Sequence, residues 1–368
     1  MNNQSKTTII AEAGVNHNGR LDLALKLVDE AASAGADFVK FQTFRADSLA
    51  SGQAAKASYQ TANTDAAESQ LDMLRRLELS FNAHRDIMDR CAKRGIAFLS
   101  TAFDLQSLSF LADDLQLRYL KIGSGELTNA PLLIAAARTE MSLMLSTGMA
   151  TLSEVEEALG VIAFGMLRSG SPERRQDFAD VLHSAAAWEA LRGRVTLLHC
   201  TTEYPAAIVD TNLRAMDTMR AAFDLPVGYS DHTTGNAMSI GAVARGACVI
   251  EKHFTLDRTL DGPDHAASLE PSQLAELVRD IRAVEAGLGS GVKQPGAAEL
   301  RNRKVVRKNI VVARGLPAGH VLTLDDLVTK RSSGGISAMD VWNCVGMKTR
   351  RPIALGASLN WADLTWAD

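Results

Sequence analysis

The chain is poor in cysteine. Its 368 residues include four, Cys91, Cys200, Cys248 and Cys344, and no two form a CxxC pair. Nothing here frames a disulfide-held fold, and a reducing, cytoplasmic setting is expected. Cys200 and Cys248 sit in apolar, strand-like runs and read as small buried hydrophobes. Long apolar runs are missing too: none approaches the ~20 residues that span a bilayer. The opening MNNQSKTTII has no apolar stretch of the kind a signal peptide carries. A surplus of positive charge is also lacking. The formal net charge is -4, which argues against a nucleic-acid or membrane-surface partner. The one basic cluster, at 301–308, reads as a solvated linker segment. Finally, no GxGxxG or GxxxxGK[ST] follows any strand-like run, which counts against nucleotide-binding open sheets.

What is present is an alternation. Short apolar runs at 8–12, 38–42, 97–101, 119–123, 142–146, 195–200, 226–229 and 249–253 are separated by amphipathic, helix-like stretches at 21–34, 83–94, 105–114, 153–167, 212–223 and 271–288. Gly35, Gly95 and Gly160 fall where helix C-terminal caps are expected. Continuous apolar strands alternating with helices predict a parallel sheet covered by helices. Eight such units predict an α/β fold, a (β/α)8 TIM barrel over 1–288. A linker at 289–302 and a small C-terminal domain at 303–368 complete the expected layout. Within that small domain, an apolar pair, a glycine and an apolar-Thr/Asn-Asp-Leu segment occur twice. Two barrel connections are long. Residues 45–82 follow strand two and are expected to form a lid over the catalytic face. Residues 165–193 follow a helix, which predicts the opposite face or an interface.

Almost every strand-like run ends in polar residues, and barrel strand ends converge on one pocket. The ends supply Glu12, Lys40, Thr101, Lys121, Ser124, Glu126, Ser146, Tyr204, Ser230, His232 and His253. His232 and His253, on neighbouring strands, are the candidate metal ligands. Imidazole suits a transition metal, and only two ligands leave an open site. Lys40 and Lys121 are placed to bind phosphate and carboxylate as point charges, or to form a Schiff base as aldolase lysines do. His199 reads as structural or pocket-lining, and His17 and His265 as supporting or acid/base groups.

The blocks IAEAGVNHNG, VKFQTF, KIGSGE, LSTGM, LHCTTEYP, GYSDHT, EKHF and GPDHAASL run in order from residue 10 to residue 269. In this the chain resembles the sialic acid synthase family, the N-acetylneuraminate, legionaminate and related nonulosonate synthases. The tail is similar to that family's antifreeze-like (SAF) domain. The resemblance implies a transferase that condenses phosphoenolpyruvate with an N-acylmannosamine-type sugar. N-acetylmannosamine and 2,4-diacetamido-2,4,6-trideoxymannose are the sugars it points to. Phosphate leaves by C–O cleavage and a nonulosonic acid forms.

Residue by residue, the resemblance implies a divalent metal on His232 and His253, with manganese expected and magnesium or cobalt as alternatives. It implies phosphoenolpyruvate contacts from Lys40, Thr101, Lys121, Ser124, Ser146 and Ser230, and a carboxylate at the reacting centre in Glu12. Glu126, Tyr204 and Asp264 fall on the sugar side. Arg331 matches an arginine that reaches the partner's site in a domain-swapped homodimer. The chain departs from the family pattern at Thr202-Glu203, where an Asn-Ile pair occurs in some members. It departs again at Ser332, where many have proline. The competing readings are a related 2-keto-3-deoxy sugar acid synthase of the pseudaminate or 3-deoxy-octulosonate type, a Schiff-base aldolase, and a non-catalytic sugar-binding barrel.

Overall fold

Period-two alternation within each strand explains what the barrel does. The computed structural model describes residues 6–65 and 67–366. Eight parallel strands close on themselves in chain order: β1 (Thr8–Gly14), β2 (Phe38–Thr43), β3 (Ala97–Ala102), β4 (Tyr119–Ile122), β5 (Ser142–Ser146), β6 (Val195–Cys200), β7 (Val227–Asp231) and β8 (Val249–His253). Each strand shows one face to the helices and the other to the barrel axis. Ile10, Leu99, Met144, Leu198 and Val249 pack together as an apolar plug separate from the main core. Two residues further along, the same strands carry Glu12, Thr101, Ser146, Cys200 and Glu251. The inner face is thus an apolar floor under a polar layer. Gly228 keeps the floor closed, because a Cβ there would come within 2.6 Å of both the Leu198 side chain and the Val249 carbonyl oxygen.

The expected helices form the outer layer. α1 (Leu21–Ala34) is followed by the lid segment, which contains α2 (Ala46–Leu49), α3 (Ser58–Asn63) and α4 (Gln70–Leu77). Then come α5 (Phe81–Arg94), α6 (Leu105–Ser109, continued as a π turn to Asp114), α7 (Ala130–Arg138) and α8 (Leu152–Leu167). Gly35 and Gly95 cap α1 and α5 with φ of 83° and 70°, as the sequence predicts. Gly160 does not cap anything. It lies inside α8, and a Cβ there would sit 2.7 Å from the Phe178 carbonyl oxygen. Its glycine serves the close approach of α9 (Gln176–Leu182), which with α10 (Ala185–Arg194) packs against α8 and makes up most of the 165–193 excursion. α11 (Ala215–Phe223), α12 (Ala237–Ala244) and α13 (Pro271–Leu288) complete the layer. No helix among the described residues is long and apolar enough to cross a membrane.

Contacts divide the chain between Ser290 and Gly291. The second unit holds α14 (Ala297–Val306), β9 (Lys308–Val312), β10 (Leu327–Arg331), α15 (Val341–Cys344), β11 (Lys348–Thr349) and β12 (Leu364–Thr365). β9 pairs with β10 and β11 with β12, both antiparallel. Its own core gathers Ile310, Val312, Leu322, Ile336, Ile353 and Leu359. The sequence repeat is visible as structure. Thr323 and Asn360 each open a 3-10 turn that closes on an aspartate, Asp326 or Asp363, and then enters a strand.

Candidate active site

The polar layer of the barrel opens into a cavity of about 700 Å³ at the C-terminal ends of the strands. At its base lies a chain of buried charges. Lys40 Nζ stands 2.8 Å from Glu12 Oε2 and 3.6 Å from Glu251 Oε2, and Lys121 Nζ stands 3.3 Å from Glu251 Oε1. Lys40 also donates to Thr101 Oγ1 at 3.1 Å, and Ser230 Oγ donates to Glu251 Oε1 at 2.8 Å.

The two carboxylates differ sharply. Burial pushes the Glu12 carboxyl up to about 7, with Lys40 opposing and the charge of Glu251 adding to the rise. Burial also acts on Glu251, but Lys121 and Lys40, with the Ser230 hydroxyl, outweigh it and hold that carboxyl well below the usual range. Burial pulls the Lys40 ammonium down, yet Glu12 and Glu251 prevail and keep it above the ordinary lysine range.

Above this base sit the imidazoles. His232 and His253 face each other with ring centroids 5.5 Å apart. Burial lowers His232 to about 4 against the pull of the Thr201 carbonyl, and burial followed by the charges of His232 and Lys40 drives His253 well below its ordinary value. Both rings are therefore neutral near pH 7. His232 Nδ1 lies 2.6 Å from the Thr201 carbonyl oxygen, so that nitrogen carries the proton and Nε2 keeps its lone pair. His253 Nδ1 is buried without a hydrogen-bond partner, 4.0 Å from Asp264 Oδ2. Among the described residues, no group of three or more His, Cys, Asp or Glu is arranged as a metal cage. Two neutral imidazoles, one of them with an orphaned nitrogen, instead fit an open site whose remaining ligands come from water and substrate.

The sugar-side candidates lie along the wall. Tyr204 stacks on His232 at 4.2 Å and meets Tyr59, from α3 of the lid, at 4.9 Å. Burial raises Asp264 to about 6, with Lys40 opposing. Glu126 accepts from Asn129 Nδ2 at 2.6 Å. Ser124 Oγ accepts from the Gly148 N–H at 3.0 Å, and Ser146 Oγ and Thr202 Oγ1 are buried with no hydrogen-bond partner. The lid contributes apolar lining through Leu49, Met73, Leu74 and Leu77, and Phe103 joins them. Lys40 and Lys121 are the only lysine or arginine side chains that line the cavity among the described residues.

Every barrel residue assigned from the sequence to catalysis, substrate or metal lines this one cavity. Arg331 belongs to the second unit, where it ends β10 with its side chain exposed. His17 and His265 lie outside the cavity lining, His17 stacked near Phe41 and His265 bonded to Thr255 Oγ1 at 2.6 Å. His199 gives its Nε2 to the Thr211 carbonyl and lines a neighbouring crevice. The 165–193 excursion supplies no lining residue. Sequence reasoning missed Glu251. Its signal was its place two residues before His253 on one strand, which puts both side chains on the same face.

The sequence comparisons agree with this geometry. The NeuB family model matches residues 27–293, and the SAF domain model matches residues 307–365. The chain is 48% identical over 334 residues to N,N'-diacetyllegionaminic acid synthase of Campylobacter jejuni, covering 91% of this chain and 93% of the relative. It is 44% identical over 353 residues to the enzyme of the same name from Legionella pneumophila, covering 96% and 93%. Among solved structures, the N-acetylneuraminic acid synthetase of Leptospira borgpetersenii matches with a TM-score of 0.65 and 33% identity, covering 82% of this chain and 93% of that one. On fold, site and sequence together, the chain belongs to the NeuB family and carries a C-terminal SAF domain.

Proposed function

We propose that the chain condenses phosphoenolpyruvate with an N-acylated, unphosphorylated mannosamine-type aldose, giving a nine-carbon nonulosonic acid and inorganic phosphate. The observation that carries this reading is the cavity base. Two ammonium groups, Lys40 and Lys121, and two unpartnered hydroxyls, Ser146 and Thr202, surround a space beside two neutral imidazoles. Such a set suits a small, strongly anionic substrate held next to a carbonyl to be polarised. The sugar end is of opposite character. It offers Glu126, Glu203 and Asp264, an apolar wall from Leu49, Met73, Leu74, Leu77 and Phe103, and, among the described residues, no further cation in the cavity lining. A sugar phosphate would meet carboxylates there. A 2,4-diacetamido-2,4,6-trideoxymannose places a methyl and acyl groups against apolar surface and is the preferred substrate, ahead of N-acetylmannosamine.

In the reaction, C3 of phosphoenolpyruvate bonds to the sugar aldehyde carbon, water adds at C2, and the C2–O bond to phosphate breaks. Lys40, Lys121, Thr101, Ser124, Ser146 and Ser230 bind and orient the enol phosphate and its carboxylate. Glu12, next to Lys40, holds or moves a proton at C2's incoming water. Tyr59 and Tyr204 cover the reacting face and exclude bulk water. His232 and His253 would hold a divalent cation, manganese by preference, which supplies Lewis-acid polarisation of the aldehyde. A Schiff-base lysine must be a free amine, and Lys40 is held protonated between two carboxylates. Arg331, exposed at the end of β10, is read as completing the sugar site of a partner subunit in a domain-swapped homodimer. The four unpaired cysteines accord with a cytoplasmic setting.

Phosphate release tests the proposal. It should require phosphoenolpyruvate, sugar and manganese together, stop with chelator, and run fastest with the diacetamido sugar. With the bridging oxygen of phosphoenolpyruvate labelled, the label should leave with phosphate. A pyruvate adduct trapped by borohydride on Lys40 or Lys121, or turnover unaffected by chelator, would overturn it.

A further inference from the structure

β7 and β8 each run into three consecutive polar residues, Ser230-Asp231-His232 and Glu251-Lys252-His253. Neighbours along a strand face opposite sides. Ser230 and Glu251 bond to each other inside the barrel, and both histidines line the cavity. Asp231 and Lys252, paired in register across the two strands, therefore point outward into the helix layer. Both side chains are 0% exposed and lie 3.1 Å apart. Neither touches the cavity.

Their hydrogen bonds converge on one residue. Asp231 Oδ1 accepts from the Thr233 N–H at 2.8 Å and from Thr233 Oγ1 at 2.7 Å, while Lys252 Nζ donates to the Thr233 carbonyl oxygen. All three polar groups of the residue after His232 are thus held by this pair. Asp231 Oδ2 is occupied in turn by Ser239 Oγ at 2.6 Å, from α12. On the other side, the His232 carbonyl accepts from the Ala206 N–H at 2.9 Å. Taking two charges fully out of water is costly, and an apolar pair of similar volume commonly gives an equal or more stable fold. Here the pair also satisfies the buried polar groups of Thr233 and the Ser239 hydroxyl, so it fastens this turn as well as carrying charge. The turn it fastens is the one that aims His232, and it ties that turn to the strand that carries His253.

We propose that Asp231 and Lys252 are positioning residues that fix, from behind the barrel wall, the aim of His232 and His253 at a divalent cation. The inference rests on the reading of those two histidines as ligands. A group bonded directly to a ligating histidine is worth about 10–100-fold in metal affinity; this pair acts one residue further out, through Thr233, so the lower end of that range is expected.

The test is manganese binding to the full chain, read from the electron paramagnetic resonance signal of the free ion, with urea unfolding alongside. The double variant Asp231→Leu/Lys252→Met should have a urea midpoint below that of the parent, because the buried Thr233 and Ser239 groups lose their partners, and under folding conditions its manganese Kd should rise by about 10-fold. Ser239→Ala removes one hydrogen bond to Asp231 and should raise Kd by about 2–5-fold. A folded double variant with the parent's Kd overturns the inference. If the double variant does not fold, an unchanged Kd in Ser239→Ala overturns it. His232→Ala separates the two readings. Loss of binding there with an unchanged double variant sinks the positioning role alone, whereas unchanged binding in His232→Ala removes the ligand reading and this inference with it.

Discussion

Glu12 in the barrel and Asp326 in the C-terminal unit are both buried carboxylates, and they are treated in opposite ways. Asp326 is saturated. Oδ1 accepts from Arg314, and Oδ2 accepts from His320 Nε2 at 2.8 Å and from both the N–H and the hydroxyl of Thr323 at 2.9 Å. Burial alone would raise its pKa, but His320, Thr323 and Arg314 together pull it far below the usual carboxylate range. Glu12 has one ammonium neighbour, a distant Gln42 amide at 3.5 Å and a second carboxylate nearby, and its pKa rises instead. A fully bonded buried acid fastens a turn. A sparsely bonded one is a poor fastener, which marks the barrel site as built for reactants that are still to bind.

That contrast can be broken by mutation. The largest effect is expected for His232→Ala and His253→Ala, which should lower turnover about a thousandfold or more, since several kcal/mol of transition-state stabilisation is lost. Circular dichroism and melting temperature should stay near those of the parent. Glu12→Gln comes next, with kcat falling about 10²–10⁴-fold and stability equal to the parent or higher. A Glu12→Gln chain that melts well below the parent while retaining the parent's turnover when folded would show the barrel carboxylate to be structural and erase the difference from Asp326.

Asp326→Asn should do the reverse and cost about 2–3 kcal/mol of stability in the C-terminal unit, followed by hydrogen exchange at the β9–β10 amides. Its pH dependence has a definite sign. The folded pKa of Asp326 lies below the unfolded value of about 3.9, so the stabilisation is fully present above that value and is lost as pH falls through it towards the folded pKa. Urea midpoints of the parent and Asp326→Asn should therefore converge between pH 5 and about pH 2, and parallel curves over that range would refute the assignment. The smallest effect belongs to Arg331→Ala. It should raise the sugar KM about tenfold and leave the phosphoenolpyruvate KM within about twofold. Mixed with His232→Ala it should recover activity, and complete failure to complement would count against a shared site.

The barrel was legible from the sequence because each strand repeats one simple pattern. Six amphipathic stretches and eight apolar runs matched elements to within a few residues, and α1 and α13 matched residue for residue. Local signals misled where contact with a distant segment decided the residue. Gly160 looked like a cap but answers to the Phe178 carbonyl, which α9 brings against α8. His17 and His265, read as supporting or acid/base groups, stand in packed surroundings outside the cavity lining, which fits the supporting half of that reading and not the acid/base half. Glu251 went unread although its place two residues before His253 puts it on the cavity face, because its weight in the site shows only when Lys40 and Lys121, from other strands, close on it. The lid reading was sound for its position, but its contribution of Tyr59 against Tyr204 was not foreseeable from a polar, weakly periodic segment.

By itself the sequence determined the number and order of the strands, the facing of side chains along each strand, the family blocks and the internal repeat of the C-terminal unit. These follow from local periodicity and from residue types at fixed short spacings. Only the tertiary structure decided which charges meet. Closing eight strands brings Glu12, Lys40, Lys121 and Glu251, residues separated by up to 239 positions, into one desolvated layer. Their protonation states, and hence their chemistry, are set by distances and burial that no single segment encodes.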